Sequence, residues 1–149
     1  MIKISKYMEA NLVTFLDVNT RDDALRTMID ALFDAGKLHN RESFYAAILD
    51  REKIVSTGIG MGVAIPHAKL HTYDDFFISI GILSKGVDWN ALDSSPVRLI
   101  FMIGGPDDKQ TEYLQILSSL TLAIKDEERR KKVLTLNSKE AIIQLFKAV

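Results

Sequence analysis

The chain has 149 residues, of which 47% are hydrophobic and 26% are charged, as in one ordinary globular domain. Its net charge of −1 argues against a nucleic-acid-binding protein, and no apolar run approaches the roughly 18 residues of a membrane-spanning helix. The lack of cysteine excludes thiol catalysis and disulfides, and the N-terminal residues lack the apolar segment of a signal peptide. These features predict one cytoplasmic domain over residues 1–149, with no nucleic-acid partner and no direct membrane insertion.

Two helices are predicted in the first 55 residues. Thr20 and Asp23 form a start that resembles a capping box, and Gly36 marks the C-cap. Apolar residues at helical spacing form the inward stripe of this first helix, namely Leu25, Met28, Ile29, Leu32 and Phe33. The second helix is expected to begin at Asn40 and to end near residues 51–52. Its inward residues are Phe44, Tyr45, Ile48 and Leu49.

In the second half of the chain, the residue pattern predicts two strands and three further helices. Residues 76–83 and 97–103 are short, β-rich and apolar on both faces, as in central strands. The segment 106–108 opens the third helix, and two short helices start at Asp126 and near Asn137. The stripe of the third helix is Tyr113, Leu114, Leu117, Leu120 and Ile124. Because strands and helices are interspersed, the pattern predicts an α/β fold with the sheet between helices.

A glycine-rich run, TGIGMGVAIPHA, occupies residues 57–68. It matches neither nucleotide pattern, because a dinucleotide site would need glycine at Val63 and the Gly-Lys-Ser/Thr of a P-loop is missing. The run instead predicts a segment with positive φ angles and close backbone approach, which would let a partner come near. Thr57, Gly58, Gly60 and Gly62 are therefore predicted binding residues.

The other histidines and the charged pairs and runs are interpreted as surface residues and helix caps rather than as catalytic or metal-binding groups. His67 and His71 are four residues apart but lack the glutamate of a metalloprotease motif, and no cysteine is available, so no metal site is predicted. His39 and His71 are interpreted as surface residues. The pairs at 22–23 and 107–108 fall at predicted helix starts and are interpreted as caps. The run 127–132 is interpreted as a solvated helix with i,i+4 ion pairs.

His67 is the remaining candidate for chemistry. Its two ring nitrogens can divide the work, because a backbone carbonyl can bind one N–H and leave the other nitrogen free as a nucleophile. Pro66 stiffens the preceding backbone by fixing φ and removing a donor. These residues favour a histidine nucleophile that serves a protein partner. The alternative from the residues alone is a structural histidine.

The ordered segment from Arg51-Glu52 through Ser56-Thr57-Gly58-Ile59-Gly60 to Pro66-His67 resembles the active-site signature of fructose/mannitol-type enzyme IIA domains. These domains belong to the bacterial phosphoenolpyruvate-dependent phosphotransferase system and include the nitrogen-regulatory enzyme IIA proteins. The resemblance extends over the whole chain and implies a single α/β domain with a mixed sheet flanked by helices on both faces. It implies that His67 carries a phosphoryl group and that the active-site arginine is Arg51.

The resemblance also implies partners. The donor would be the phosphocarrier HPr or its nitrogen-branch counterpart, and exchange between two histidines would need no cofactor. One position departs from the family's pattern: where members usually carry a second histidine in H-L-x-x-L, this chain has Tyr113, which remains a predicted binding residue. The leading hypothesis is a regulatory phosphocarrier acting on a target protein. The rivals are a sugar-specific enzyme IIA that donates to a separate enzyme IIB, and a non-catalytic binding module.

Overall fold

The computed structural model describes residues 2–147 and 149, so positions 1 and 148 of the predicted 1–149 domain lie outside it. The helices are α1 (Arg21–Asp34), α2 (Arg41–Ile54), α3 (Gln110–Lys125), α4 (Glu127–Thr135) and α5 (Lys139–Lys147). The strands are β1 (Val13–Leu16), β2 (Gly58–Gly60), β3 (Val63–Ala64), β4 (His67–Lys69), β5 (Phe77–Val87) and β6 (Val97–Gly105). Two short 3-10 helices, Ile4–Tyr7 and Ala10–Leu12, precede β1. Within residues 2–147, no helix is long and apolar enough to cross a membrane.

The strands form one mixed sheet in the order β1-β5-β6-β3-β2, with β4 paired to β6 beyond β3. β5 and β6 are antiparallel at its centre, whereas β1 is parallel to β5, and β3 and β4 are parallel to β6. Alternate residues of β6 enter two separate cores: Phe101 packs with residues of α3 to α5, and Met102 packs with residues of α1 and α2. The predicted mixed sheet with helices on both faces is confirmed.

Side-chain caps begin most of the helices where the sequence predicts them. Thr20 accepts a hydrogen bond from the Asp23 amide, and Asn40 accepts one from the Ser43 amide. The side chain of Asp126 accepts from the Arg129 amide at the start of α4. These caps satisfy amides that have no partner inside the helix, so the short polar residues determine where each helix begins.

Two residues that the sequence predicts to face inward, Phe33 and Leu114, are exposed, so these two predictions are wrong. Phe33 is 40% exposed, and the Arg41 guanidinium lies 4.8 Å from its ring centroid. Leu114 is 52% exposed, because α3 buries Tyr113, Ile116 and Leu120 instead. Successive residues of a helix are rotated by about 100° around its axis. With Tyr113 buried, the adjacent Leu114 therefore points away from the core and towards solvent.

Two predicted helix ends also differ. α2 continues to Ile54, two residues beyond the expected end, which places Arg51 and Lys53 in its last turn. Cationic side chains interact favourably with the carbonyl end of a helix, so both residues stabilise this last turn. The pair at 107–108 does not cap α3, because the N-cap residue is Lys109.

The glycine-rich run folds as a tight hairpin that joins β2 to β3. The two loop residues, Met61 and Gly62, have φ values of 61° and 75°, as a type I′ turn requires. At Gly58, an added Cβ would lie 2.8 Å from the Cβ of Ala91. The predicted positive φ angles and close approach are both confirmed.

Candidate active site

His67 lies at the start of β4, directly after an interruption in the sheet edge. β3 and β4 follow the same edge of β6 in one continuous register, with Val63 opposite Leu99 and His67 opposite Ile103. Between them Pro66 has no N–H to donate, although its carbonyl accepts from the Ile103 amide at 3.0 Å. The proline therefore ends one strand and starts the next without releasing His67 from the sheet.

The imidazole of His67 is held through one nitrogen. Its Nδ1 donates to the Ile65 carbonyl oxygen at 3.2 Å. Since a carbonyl can only accept, Nδ1 carries the proton and Nε2 carries the free electron pair. Burial lowers the pKa of His67, and the charges of Arg51 and Lys69 lower it further against the opposing effects of the Ile65 hydrogen bond and Glu52. The ring is therefore neutral at neutral pH, as a nucleophile must be.

Arg51 occupies the last turn of α2. Its Nη1 donates to the Val55 carbonyl at 2.8 Å, beyond the end of the helix. Its positive charge lowers the pKa of both His67 and Tyr113, so its field reaches both rings. In the part of the chain that the structure describes, no ion pair includes Arg51, and most of its donors are available to an anion.

Tyr113 closes the site from the first turn of α3. It is 5% exposed, and its ring centroid lies 5.7 Å from that of His67 and 6.2 Å from that of Phe76. Burial raises the pKa of Tyr113, while the charge of Arg51 opposes this, so the phenol is neutral at neutral pH. The structure thus brings together the three residues that the sequence singles out for chemistry, Arg51, His67 and Tyr113.

Lys69 is a site residue that the sequence reasoning missed. Its Nζ lies 4.1 Å from the centroid of the Tyr113 ring and donates to Oε1 of Gln110 at 2.8 Å. Side chains two residues apart in a strand point to the same face, so the spacing from His67 in β4 was the available signal. Lys69 adds a second cation beside the imidazole.

The other predicted binding residues lie in and around the hairpin. Thr57 is 4% exposed; its amide and hydroxyl both donate to Glu52, and its carbonyl accepts from the Ile65 amide at 3.0 Å. The Gly58 carbonyl accepts from the Leu92 amide, and the Gly62 carbonyl accepts from the Leu99 amide at the start of β6. Gly60 has a φ of 95° and precedes the turn. These groups fix the hairpin from which β3 and His67 continue.

The remaining histidines lie apart from this arrangement. His39 is exposed and its ring stacks on Tyr73 with centroids 4.9 Å apart, and His71 is exposed in the turn after β4. Among residues 2–147 and 149, no three side chains of the metal-binding types lie together as a candidate metal site. The candidate site therefore consists of one histidine flanked by two cations and a neutral phenol.

Residues 6–149 match the family described as "Phosphoenolpyruvate-dependent sugar phosphotransferase system, EIIA 2". The chain belongs to this family. Among curated relatives, this EIIA domain is 35% identical to the fructose-specific EIIABC component of Bacillus subtilis over 97% of the chain, and it spans 23% of that relative's length. It is 28% identical to the nitrogen regulatory protein of Bradyrhizobium diazoefficiens, over 88% of this chain and 85% of the relative.

Solved structures show the same fold. The nitrogen regulatory protein IIA-Ntr from Neisseria meningitidis superposes with a TM-score of 0.89 at 24% identity, covering 96% of this chain and 98% of that one. The Escherichia coli mannitol enzyme IIA, solved in complex with phosphorylated enzyme IIB, gives a TM-score of 0.80 at 20% identity, covering 95% and 98%. The EIIA domain is thus a phosphotransferase component whose relatives include both sugar-specific and nitrogen-regulatory proteins.

Proposed function

We propose that this EIIA domain is a phosphocarrier that accepts a phosphoryl group on Nε2 of His67 from HPr or its nitrogen-branch counterpart. The observation that carries the proposal is the Nδ1–Ile65 hydrogen bond, which leaves Nε2 with its free electron pair. In the transfer, the N–P bond to the donor's histidine breaks and a new N–P bond forms at Nε2. The proton stays on Nδ1, and the donor histidine keeps the electron pair of the broken bond.

Arg51 is the proposed phosphoryl-binding residue. Phosphoryl transfer passes through a loose transition state, so a protein contributes chiefly by positioning the group and stabilising charge on its oxygens. The guanidinium fork matches two such oxygens, and its field already reaches His67. Tyr113 could add one neutral donor, whereas Thr57 and the hairpin glycines would act indirectly, by holding the backbone on which His67 sits.

The acceptor of the phosphoryl group would define the biological role. In the regulatory role, which is the first candidate, a target protein would bind the phosphorylated and unphosphorylated forms differently. The second candidate is donation to an enzyme IIB for sugar uptake. Identity of 35% to a fructose-specific relative, against 28% to a nitrogen regulatory one, favours this second role.

The proposal is tested by incubating the protein with phosphoenolpyruvate, enzyme I and HPr and mapping the phosphorylated residue. We expect an acid-labile, base-stable phosphoramidate on His67 that disappears in His67→Gln. His39→Gln and His71→Gln are the matched controls and should be labelled like the wild type. Label that persists in His67→Gln contradicts the site. A folded protein that takes no label from HPr or from the nitrogen-branch donor is instead a binding module.

The same preparation tests the acceptor. Phosphorylated protein is mixed with a purified fructose-type or mannitol-type enzyme IIB, and the label on each protein is followed with time. Rapid loss of label to enzyme IIB would support sugar uptake. Retention of the label, with phosphorylation-dependent binding to a regulatory protein, would support the regulatory role.

A further inference from the structure

A buried carboxylate lies behind the site. Glu52 is 5% exposed, although it directly follows Arg51 in α2 and precedes the exposed Lys53. Removing a carboxylate from water costs several kcal/mol unless hydrogen bonds replace its hydration. The position of Glu52 is therefore a specific feature of this fold, and its partners indicate what it does.

Both oxygens of Glu52 are occupied. Oε1 accepts from the Thr57 amide at 2.9 Å, and Oε2 accepts from the Thr57 hydroxyl and from Nε1 of Trp89, the latter at 3.2 Å. Trp89 is 1% exposed, and its backbone carbonyl accepts from the Ser56 hydroxyl at 2.5 Å. The carboxylate thus joins the end of α2, the start of the hairpin and the loop between β5 and β6.

From this cluster, two further hydrogen bonds lead to the imidazole. The Thr57 carbonyl accepts from the Ile65 amide at 3.0 Å, and the Ile65 carbonyl accepts from Nδ1 of His67 at 3.2 Å. Glu52 is also the residue that directly follows Arg51 in α2. One buried side chain is therefore linked both to the backbone that carries the Arg51 side chain and, through Thr57 and Ile65, to the carbonyl that orients His67.

We propose that Glu52, held by Thr57 and Trp89, is a positioning residue that sets the placement of Arg51 relative to Nε2 of His67. This inference rests on the proposed phosphoryl transfer at the same site. Glu52 does not contact the phosphoryl group; it acts through the residues next to it. Its negative charge is also felt at the imidazole, where it raises the pKa of His67 against burial and the charges of Arg51 and Lys69.

The groups that face His67 come from three elements. α2 contributes Arg51 and Glu52, β4 contributes Lys69, and α3 contributes the neutral phenol of Tyr113. Of these, Glu52 is the one negative charge whose effect on the His67 pKa is resolved in the part of the chain that the structure describes. Loss of this charge should therefore lower the pKa of His67 by a direct electrostatic effect, whereas the placement of Arg51 is reported by the kcat of transfer at unchanged KM.

The test is Glu52→Gln, which keeps the volume of the side chain. The amide oxygen can still accept from the Thr57 amide, but the NH₂ group now faces the Trp89 N–H, so one acceptor is lost together with the charge. In NMR titrations of the unphosphorylated protein, we expect the pKa of His67 to fall. In transfer from the phosphorylated donor, we expect kcat to fall by about 10- to 100-fold, as for a misplacement of about 1 Å, with the KM for the donor unchanged.

Asp50→Asn is the matched control, because it removes the same charge two residues earlier on α2, from a side chain that is 75% exposed. It should leave the His67 pKa and kcat at their wild-type values. A folded Glu52→Gln protein that transfers with the wild-type kcat overturns the inference, whatever the pKa of its His67. If Glu52→Gln does not fold, the comparison moves to Thr57→Val and Thr57→Ser, which remove or keep the hydroxyl that donates to Glu52. A lowered kcat in Thr57→Val with rescue in Thr57→Ser supports positioning, whereas wild-type kcat in both overturns it.

The two proposals fail in different ways. If the wild-type protein takes no phosphoryl group on His67, the proposed function is wrong, and the titration of His67 in the unphosphorylated protein still tests its link to Glu52. If the wild-type protein is phosphorylated on His67 and Glu52→Gln matches it in pKa and rate, only the role of Glu52 is wrong.

Discussion

Replacement of Arg51 by lysine separates the shape of the guanidinium from its charge. Arg51 reaches the site from the end of α2, where one of its nitrogens donates to the Val55 carbonyl at 2.8 Å. The other donors of the fork are available to phosphoryl oxygens. Arg51→Lys keeps the positive charge near His67 and Tyr113 but presents a single ammonium group, so it cannot bind the backbone carbonyl and two phosphoryl oxygens in the same geometry.

The size of the effect follows from the bond that is lost. A hydrogen bond to a charged group contributes about 1.5–3 kcal/mol. If that bond strengthens in the transition state, its loss slows transfer by about 10- to 150-fold, since each 1.36 kcal/mol is tenfold in rate. Because lysine retains the charge, we expect the pKa of His67 to stay lowered, whereas Arg51→Met should raise it.

The assay is single-turnover transfer from phosphorylated HPr, followed by rapid quenching and detection of phospho-His67. The matched control is Arg41→Lys in the first turn of the same helix, where the arginine pairs with Asp30 at 3.3 Å on the surface. That variant should transfer at the wild-type rate. An Arg51→Lys protein that also transfers at the wild-type rate refutes the proposed use of the fork and leaves Arg51 as a helix-end residue.

Three further predictions concern the groups around the imidazole. Tyr113→Phe removes one neutral donor, so phospho-His67 should hydrolyse about 2- to 10-fold faster. Tyr113→His should make the lifetime of phospho-His67 depend on pH near about 6.5. Superimposable hydrolysis curves for the wild type and both variants would mean that Tyr113 only packs against its neighbours. Lys69→Met removes a cation that lowers the pKa of His67, so an NMR titration should show that pKa rising. An unchanged value would contradict the electrostatic effect of Lys69 on His67. Because the folded pKa of His67 lies below its unfolded value of about 6.5, the unfolded state binds more protons between the two, and stability is lost as pH falls through that window. In denaturant unfolding, His67→Gln should therefore lose less stability than the wild type between pH 8 and pH 5, and equal losses would contradict the lowered pKa.

Local sequence signals account for most of the elements. Thr20 and Asn40 begin helices because their side chains satisfy free amides, which requires only neighbouring residues. The apolar segments that became β5 and β6 are recognisable because a strand buried on both faces needs apolar side chains on both. The positive φ angles of the hairpin follow from the conformational freedom of glycine.

The phase of α3 is a contrasting case. Tyr113 and Leu114 both fit a helical stripe in the sequence, and the apolar residues cover more of the helix circumference than one face can bury. Packing resolved this: the ring of Tyr113 lies against Phe76 and His67, and Leu114 is therefore turned towards solvent. Periodicity reports which residues share a face, but the neighbouring layer decides which face is buried.

The sequence alone therefore determined the helices, the two central strands, the histidine behind its proline and the arginine at the helix end, since these depend on local backbone chemistry and on an ordered motif. The four shorter strands, β1 to β4, were not predicted, because their pairing with β5, β6 and one another is decided by the packing of the sheet. The tertiary structure decided how these residues act together. A glutamate in a polar helix segment is normally interpreted as solvated, and nothing local to Glu52 indicates that Trp89, 37 residues away, supplies a buried partner. Likewise, the contact of Lys69 with Tyr113 joins β4 to α3. Burial and long-range hydrogen bonds depend on how distant segments pack, and that information is distributed over the whole chain.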